Sequence, residues 1–399
     1  MTHLVGAMSQ ELARAFLLDR LGLRGPYWKT EEAGIRAVGL GMMQIDSIRS
    51  TGLRNHEIAW VTRTDAPIPA LYDLYYRDRA MLETHYPLFA TRRDWVPFFL
   101  KDFNKAVNQE RLKEFRPLMR KVKKHIAENG PVSPADLDSE RVIGGFNTIK
   151  ATTRALEYLY HTGQVQISGR SKNFHRLFDL TERVAPELLS PVADYRTAHK
   201  SFFVHSALSV LKLATPRQLA ERVSHHVGTW RGGMAVAKKL IDDALDHQLI
   251  DWIESIEGEQ QHRYLALRSD LDRFMKGIPP QDDTVRLVPP LDNLMFSRRR
   301  FTELFGFTYK FEAYTPEDQR RFYFAMPILY RDHAVGLIDG RKEEGLWRVT
   351  GLELYRDLPL DHLRAAIHRF ARIAGCEKIV AAPGLSKAQR AALLGKVEG

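Results

Sequence analysis

Gln44, Ile45 and Asp46, in the run Gly-Met-Met-Gln-Ile-Asp-Ser-Ile, have the types and spacing best suited to chemistry in this chain. In an extended segment, residues i and i+2 point to the same face. Gln44 and Asp46 then share one space, with Ile45 packed behind them. A carboxylate beside an amide can hold a water and stabilise a positively charged sugar transition state. The same two side chains could equally form a satisfied polar pair at a strand edge.

The elements that must position this pair are mostly helical. Ser9 is suited to cap a first helix carrying Leu12, Ala15, Phe16 and Leu17 on one face, with Gly22 near its end. A second helix is expected from about Glu31 to Leu40, and the Gln-Ile-Asp segment follows it. His56 to Arg63 reads as extended, Pro67 and Pro69 break the chain, and Leu71 to Leu82 reads as helix.

An internal repeat comes next. Ser133-Pro134 and Thr215-Pro216 each place proline after a capping hydroxyl, which suits a helix start, and the two are offset by 82 residues. Each start is followed by a longer expected helix, Thr148 to His161 and Gly233 to His247. Two short extended runs then close each unit: Gly163 to Ile167 with His175 to Leu180, and Gln248 to Ile253 with His262 to Leu267. Helix, turn, helix and two-stranded wing is the order of a winged helix, whose second helix meets DNA. Lys150 and Arg154 in the first unit, and Lys238 and Lys239 in the second, are its candidate DNA contacts or else ordinary solvated charges. Between Arg92 and Lys124 lie 11 Lys or Arg and 4 Asp or Glu, interleaved with Phe98, Phe99, Phe103 and Phe115. That stretch suits phosphate contact along a groove, or a linker helix with a solvated face.

After Pro279 the composition changes. Leu287 to Leu294 is proline-rich and apolar. Phe307 to Tyr314 and Arg321 to Leu329 read as strands joined by Thr315 to Arg320, and Ala334 to Asp339 and Trp347 to Leu354 continue the β character. Asp361 to Gly375 reverts to a helix expected to pack on the sheet, and the tail from Gly384 is expected to fray.

The totals bound the partners. The chain has 399 residues and a formal charge of +10, which favours a polyanion. Its one cysteine, Cys376, can form neither an internal disulfide nor a cysteine-based zinc site. His225-His226 has no acidic partner at ligand spacing, so neither a metal nor a cofactor is expected. No apolar run suggests a membrane span or signal peptide, and a reduced cytoplasm is expected.

With these motifs in place, the chain resembles the AlkZ-like bacterial alkylpurine DNA glycosylases. The resemblance rests on Gly-Met-Met-Gln-Ile-Asp-Ser-Ile, Arg54-Asn-His56 with Arg63, the block Val288-Pro-Pro-Leu-Asp292-Asn293-Leu-Met-Phe-Ser-Arg298-Arg-Arg, Glu303-Leu-Phe-Gly-Phe, Tyr314-Thr-Pro, Arg320-Arg321 and Pro327-Ile-Leu. The run from Leu82 departs from the family's aromatic and histidine pattern, and only His85 is carried over from it.

The resemblance implies an α+β fold of tandem winged helices with a small C-terminal β domain around a basic channel. The expected blocks are an N-terminal winged-helix region with the Gln-Ile-Asp motif and basic linker (1–128), a second winged helix (129–196), a third (197–278), and a β domain with a DNA-probing hairpin and terminal helix (279–399). Gln44-Ile45-Asp46 resembles the Gln-X-Asp motif of the YcaQ or AlkX branch. By that resemblance Asp46 stabilises the sugar cation and helps activate water, and Gln44 holds the water. Arg54, His56 and Arg63 would touch phosphate or pair with nearby acids. Gln319, Arg320 and Arg321, on a hairpin from Thr315 to Arg321, would face DNA, unless that hairpin is a plain surface turn.

The implied activity is monofunctional excision of cationic N7-alkylguanine and N3-alkyladenine from double-stranded DNA, with unhooking of interstrand crosslinks. A monomer at the bacterial nucleoid is expected. A non-enzymatic winged-helix transcriptional regulator is the alternative.

Overall fold

The computed structural model describes residues 5–84, 88–100, 109–143, 148–190, 195–227, 233–257 and 260–394. The fold mixes helices and sheets, and the chain divides into two compact units, 1–68 with 204–399, and 69–203. The expected 1–128 block spans parts of both units, whereas 279–399 lies wholly in the first.

The first unit begins as its sequence dictates. Ser9 Oγ accepts from the Leu12 N–H at 3.1 Å and starts helix Gln10–Arg20. Phe16 is buried and meets Phe274 edge-on at 5.2 Å. Gly22 follows with φ +69°, and a Cβ there would overlap the Trp28 ring. Gly22→Ala therefore combines a left-handed alanine with overpacking and is expected to cost about 2–4 kcal/mol, read as a lower denaturant midpoint. Helix Thr30–Gly39 comes next.

The segment 55–61, expected as extended, is the helix Asn55–Val61. The Arg54 N–H donates to Glu57 Oε2 at 2.7 Å, the reciprocal half of a capping box. All seven residues are buried. A helix buried on every side carries no apolar stripe, so the 3.6-residue period is absent from its sequence.

Two sheets complete this unit. Val5–Ser9 lies parallel to Ile250–Glu257, which pairs antiparallel with Gln260–Leu267. Helices Tyr195–Leu211, Pro216–Val227 and Gly233–Asp246 precede that hairpin. Thr215 and Gln218 cap the second of these reciprocally, Gln218 N–H to Thr215 Oγ1 at 3.3 Å and Thr215 N–H to Gln218 Oε1 at 3.1 Å. The other sheet has five strands in the order Val285–Leu287, Met326–Tyr330, His333–Glu343, Leu346–Leu354 and Lys378–Ala381. Its first three pairings are antiparallel and the last is parallel. A parallel partner needs a crossover, and helix Leu360–Ile373 supplies it. That helix buries Leu363, Ile367 and Phe370, and Phe370 lies 5.1 Å from the Trp347 ring of the sheet. The tail expected to fray forms helix Lys387–Leu394, which buries Ala392 and Leu393. Cys376 is buried, and burial raises its thiol pKa.

Residues 307–325 are not a strand pair. Phe307 to Tyr314 and Arg321 to Ala325 form a long loop with a single 3-10 turn, Glu317–Gln319, and the strand starts only at Met326. Among the described residues the backbone of this loop pairs with no other strand, so β-favouring side chains have no ladder to join.

The second unit is built on helices Gln109–Asn129 and Ala151–His161 and the antiparallel pair Val165–Arg170 with Arg176–Leu180. Met119, Val122, Ile126, Leu156, Leu159 and Phe178 share one apolar core. The helix expected at Ser133 is only a turn, in which the Ser133 N–H donates to Asp136 Oδ2 at 2.8 Å. Leu71 to Leu82 is helical only to Arg77, its last turn being a π-helix, and then becomes strand Met81–Glu83. Buried Glu83 is held by Arg170 and by the Tyr76 hydroxyl at 2.7 Å, and burial with this carboxylate pushes the Tyr76 phenol far above its usual pKa. The Leu82 region thus carries a buried charge cluster.

Candidate active site

Met42–Gln44 is a short strand, and the chain continues through Ile45 and Asp46. Ile45 is buried, while Gln44 and Asp46 are half-buried. Asp46 Oδ1 accepts the Ile48 N–H at 2.7 Å, an i to i+2 turn that fixes the carboxyl group. Among the described residues its second oxygen and the whole Gln44 amide have no hydrogen-bond partner. Two polar groups two residues apart thus retain unused hydrogen-bonding capacity on a fixed backbone, which is what a site holding water and a sugar requires.

The fixing comes from distant sequence. Asn55 donates through Nδ2 to the Gln44 carbonyl at 3.0 Å and to the Leu291 carbonyl at 3.3 Å, and its Oδ1 accepts the Leu291 N–H at 3.0 Å. One buried amide therefore ties the motif to the Val-Pro-Pro-Leu-Asp-Asn block. Asn293 adds a bond to the Leu40 carbonyl at 3.3 Å. The five-stranded sheet holds the far end, where the Lys342 N–H donates to the Ser50 carbonyl at 2.8 Å. Arg369 reaches the Val61 carbonyl at 2.8 Å and the Thr64 carbonyl at 2.9 Å.

These bonds decide the roles of three candidates. Arg63 is 1% exposed and Asp292 2% exposed, and they form a bidentate pair at 2.7 and 2.8 Å. Arg63 also donates to the Leu21 and Ala59 carbonyls at 2.7 and 2.9 Å. His56 is fully buried, and Arg54 pairs with Glu57 at 3.3 Å. The phosphate-contact reading therefore gives way to the acid-pairing one for both arginines, and His56 is a core residue. Surrounding bonds already use the Arg63 guanidinium, so no face is left for a ligand.

A cavity of about 380 Å³ is lined by Ser50, four residues after Asp46, and by Arg320, Tyr323, Asp339, Arg341 and Thr350 among others. Asp339 is the brace of its loop, accepting the Tyr323 N–H at 2.8 Å and the Phe324 N–H at 3.2 Å. Burial raises its carboxyl pKa, and those backbone donors oppose the shift. Glu312 ties the same loop by accepting the Arg321 N–H at 3.1 Å, and the Tyr309 hydroxyl bonds the Ala325 carbonyl at 2.8 Å. Gln319 is exposed. Arg320 lies 3.6 Å from Glu317 and over the Tyr323 ring at 4.8 Å. Arg321 is exposed but engaged by Glu353 and by the Tyr355 hydroxyl at 3.0 Å. Exposed pairs of this kind are worth about 0–1 kcal/mol and open readily.

The repeat residues divide. Lys150 donates to the Leu137 carbonyl at 2.8 Å and lies 3.6 Å from Asp138, and Arg154 pairs with Glu157 at 2.6 Å. Lys238 and Lys239 are exposed, and among the described residues neither has an acidic partner within 4.0 Å. The basic stretch is amphipathic, with Leu112, Met119, Val122 and Ile126 buried and Lys113, Arg116, Arg120, Lys121 and Lys124 exposed. Its aromatics pack internally, Phe98 on Phe202 at 4.0 Å and Phe115 against Tyr158 at 5.3 Å. His85, Phe103 and the His225 and His226 side chains lie outside the described residues. Among the described residues no three His, Cys, Asp or Glu side chains gather as a metal site, and no helix is long and apolar enough to cross a membrane.

The sequence over residues 38–373 matches the family described as DNA glycosylase AlkZ-like. The chain belongs to the AlkZ-like DNA glycosylase family. The match runs from just before Gln44 to the end of the crossover helix, so it contains the motif and the first four strands of the sheet that clamps it. The fold is similar to that of the Streptomyces sahachiroi DNA glycosylase AlkZ, with a TM-score of 0.59, 13% identity, and coverage of 94% of this chain and 100% of that chain. At that identity the likeness is one of fold.

Within this AlkZ-like architecture, sequence reading missed three residues. Asn55 and Asp292 were visible as polar residues in matched blocks, but the bonds they make span more than 200 positions. Tyr314 is 81% exposed on the 307–325 loop, and its only sequence signal was its place beside Thr-Pro.

Proposed function

We propose that this chain is a monofunctional DNA glycosylase that removes cationic alkylated purines, N7-alkylguanine and N3-alkyladenine, and unhooks interstrand crosslinks, leaving abasic sites. The observation that carries this reading is the pairing of Gln44 and Asp46, half-exposed and with unused hydrogen-bonding atoms, on a backbone locked by Asn55.

The chemistry suits so small a constellation. In an N7- or N3-alkylated purine the ring is already positive. When the bond from C1′ to the base nitrogen breaks, its electron pair returns to the ring, and the base leaves neutral without an added proton. The acid of the two-carboxylate sugar hydrolases is therefore dispensable. Asp46 stabilises the oxocarbenium-like sugar, Gln44 holds the water that adds to C1′, and the water's proton passes to Asp46 or to solvent. Crosslink unhooking is supported by the partial exposure of both side chains, since a base tethered to the other strand cannot enter a closed pocket. The helix and hairpin units, read as tandem winged helices with Lys238 and Lys239 facing outward, and the net charge of +10 support a duplex DNA substrate in the bacterial cytoplasm.

The test is a duplex carrying a single N7-methylguanine, treated with alkali after incubation. Strand scission at the lesion is expected from the protein alone, with poor scission at hypoxanthine, whose neutral ring is a far worse leaving group. Comparable excision of both would contradict the mechanism. Binding without scission would favour a regulator. A nitrogen-mustard crosslinked duplex then tests unhooking.

A further inference from the structure

A single exposed aromatic side chain is ordinary. Tyr314 differs in how it is held. It sits at the tip of a turn closed by the Thr315 N–H to the Glu312 carbonyl at 2.9 Å. Its ring meets Phe311 edge-on at 6.0 Å, and Phe311 meets buried Phe324 edge-on at 5.9 Å. A short aromatic ladder thus runs from the core to the surface. Its base is pinned by Asp339, which accepts the Phe324 N–H. A ring anchored in this way loses little freedom when something stacks on it.

Its place is also specific. The Tyr323 end of the same loop and Ser50, four residues after Asp46, line one cavity. Partial burial and then the negative charge of Asp46 raise the Tyr314 phenol pKa, so the ring lies within the electrostatic reach of that carboxylate. The phenol stays neutral, and its electron-rich face remains available.

Resting on the glycosylase reading above, we infer that Tyr314 is a specificity residue whose ring stacks on the damaged base and selects for its positive charge. A cation over a tyrosine face is attracted by the ring quadrupole, and a neutral base of the same shape gains only the stacking part. Asp46 then acts on the sugar while Tyr314 reads the base.

The experiment uses two uncleavable duplexes. One carries 2′-fluoro N7-methylguanosine, whose fluorine suppresses the sugar cation. The other carries 2′-fluoro 7-deaza-7-methylguanosine, which has the same shape and no charge. The full-length protein is expected to bind the charged duplex about tenfold more tightly. Tyr314→Phe should keep this preference, and Tyr314→Leu should reduce it to near unity with an unchanged denaturant midpoint. Equal binding of the two duplexes by the unsubstituted protein, a preference surviving in Tyr314→Leu, or one lost in Tyr314→Phe would each overturn the inference. Scission of an ordinary N7-methylguanine duplex separates the two levels. If scission occurs and the charge preference ignores Tyr314, only this inference fails. If the protein never cuts, the glycosylase reading fails and takes the inference with it.

Discussion

Asp46→Asn is expected to slow excision of N7-methylguanine by about 10²–10³-fold, with duplex binding nearly unchanged. Two opposite charges about 4 Å apart at an effective dielectric of 20 interact by roughly 4 kcal/mol, which corresponds to about a thousandfold in rate. Asparagine keeps the shape and can still accept the Ile48 N–H that Asp46 takes at 2.7 Å, so the turn should survive and the charge alone is removed. Gln44→Ala removes a hydrogen-bonding group and no charge. Its expected loss is smaller, about tenfold, the worth of one positioned hydrogen bond. Single-turnover rates on one duplex substrate give both values. Equal losses, or an unaffected Asp46→Asn, would remove the electrostatic role assigned to the carboxylate.

The second large effect falls on stability. Arg63→Met strands Asp292 as a buried carboxylate without its partner, and breaking such a pair costs about 3–5 kcal/mol. Against a typical total of about 5–15 kcal/mol, this brings the protein near unfolding. The double change Arg63→Met with Asp292→Leu should recover much of the loss, because it leaves no charge uncompensated. Arg77, exposed and paired only at the surface, is the control, and its replacement by Met should stay within about 0.5 kcal/mol. Urea or guanidinium midpoints measure all three. If Arg63→Met instead keeps its midpoint and binds DNA with a shallower salt dependence, Arg63 is a phosphate contact and the burial argument fails.

The pattern of agreement with the sequence follows the range of the interactions. Capping at Ser9 and Thr215, the hairpin strands of both repeats, and helix 360–373 with its acidic start and glycine end were legible because each is specified within a few residues. The alternation of half-buried Gln44, buried Ile45 and half-buried Asp46 follows the local period of extended backbone. Helix 55–61 was misread because complete burial erases the periodicity that would mark it. The hairpin expected at 315–321 was misread because strand-like composition needs a partner strand, and none accompanies it among the described residues.

The sequence by itself determined that an amide and a carboxylate flank one apolar residue, that the chain is strongly basic, and that its blocks match one glycosylase family. Tertiary structure decided which charges are spent. Arg63, Arg54 and His56 look like phosphate ligands in a list of residues. Packing places them on or beside helix 55–61, where the two arginines pair with Glu57 and Asp292 and the His56 ring is buried. It also set the exposed ring of Tyr314 near Asp46, 268 positions earlier in the chain. No local rule reaches that far, because the place of the 307–325 loop depends on its bracing by Asp339 of the five-stranded sheet.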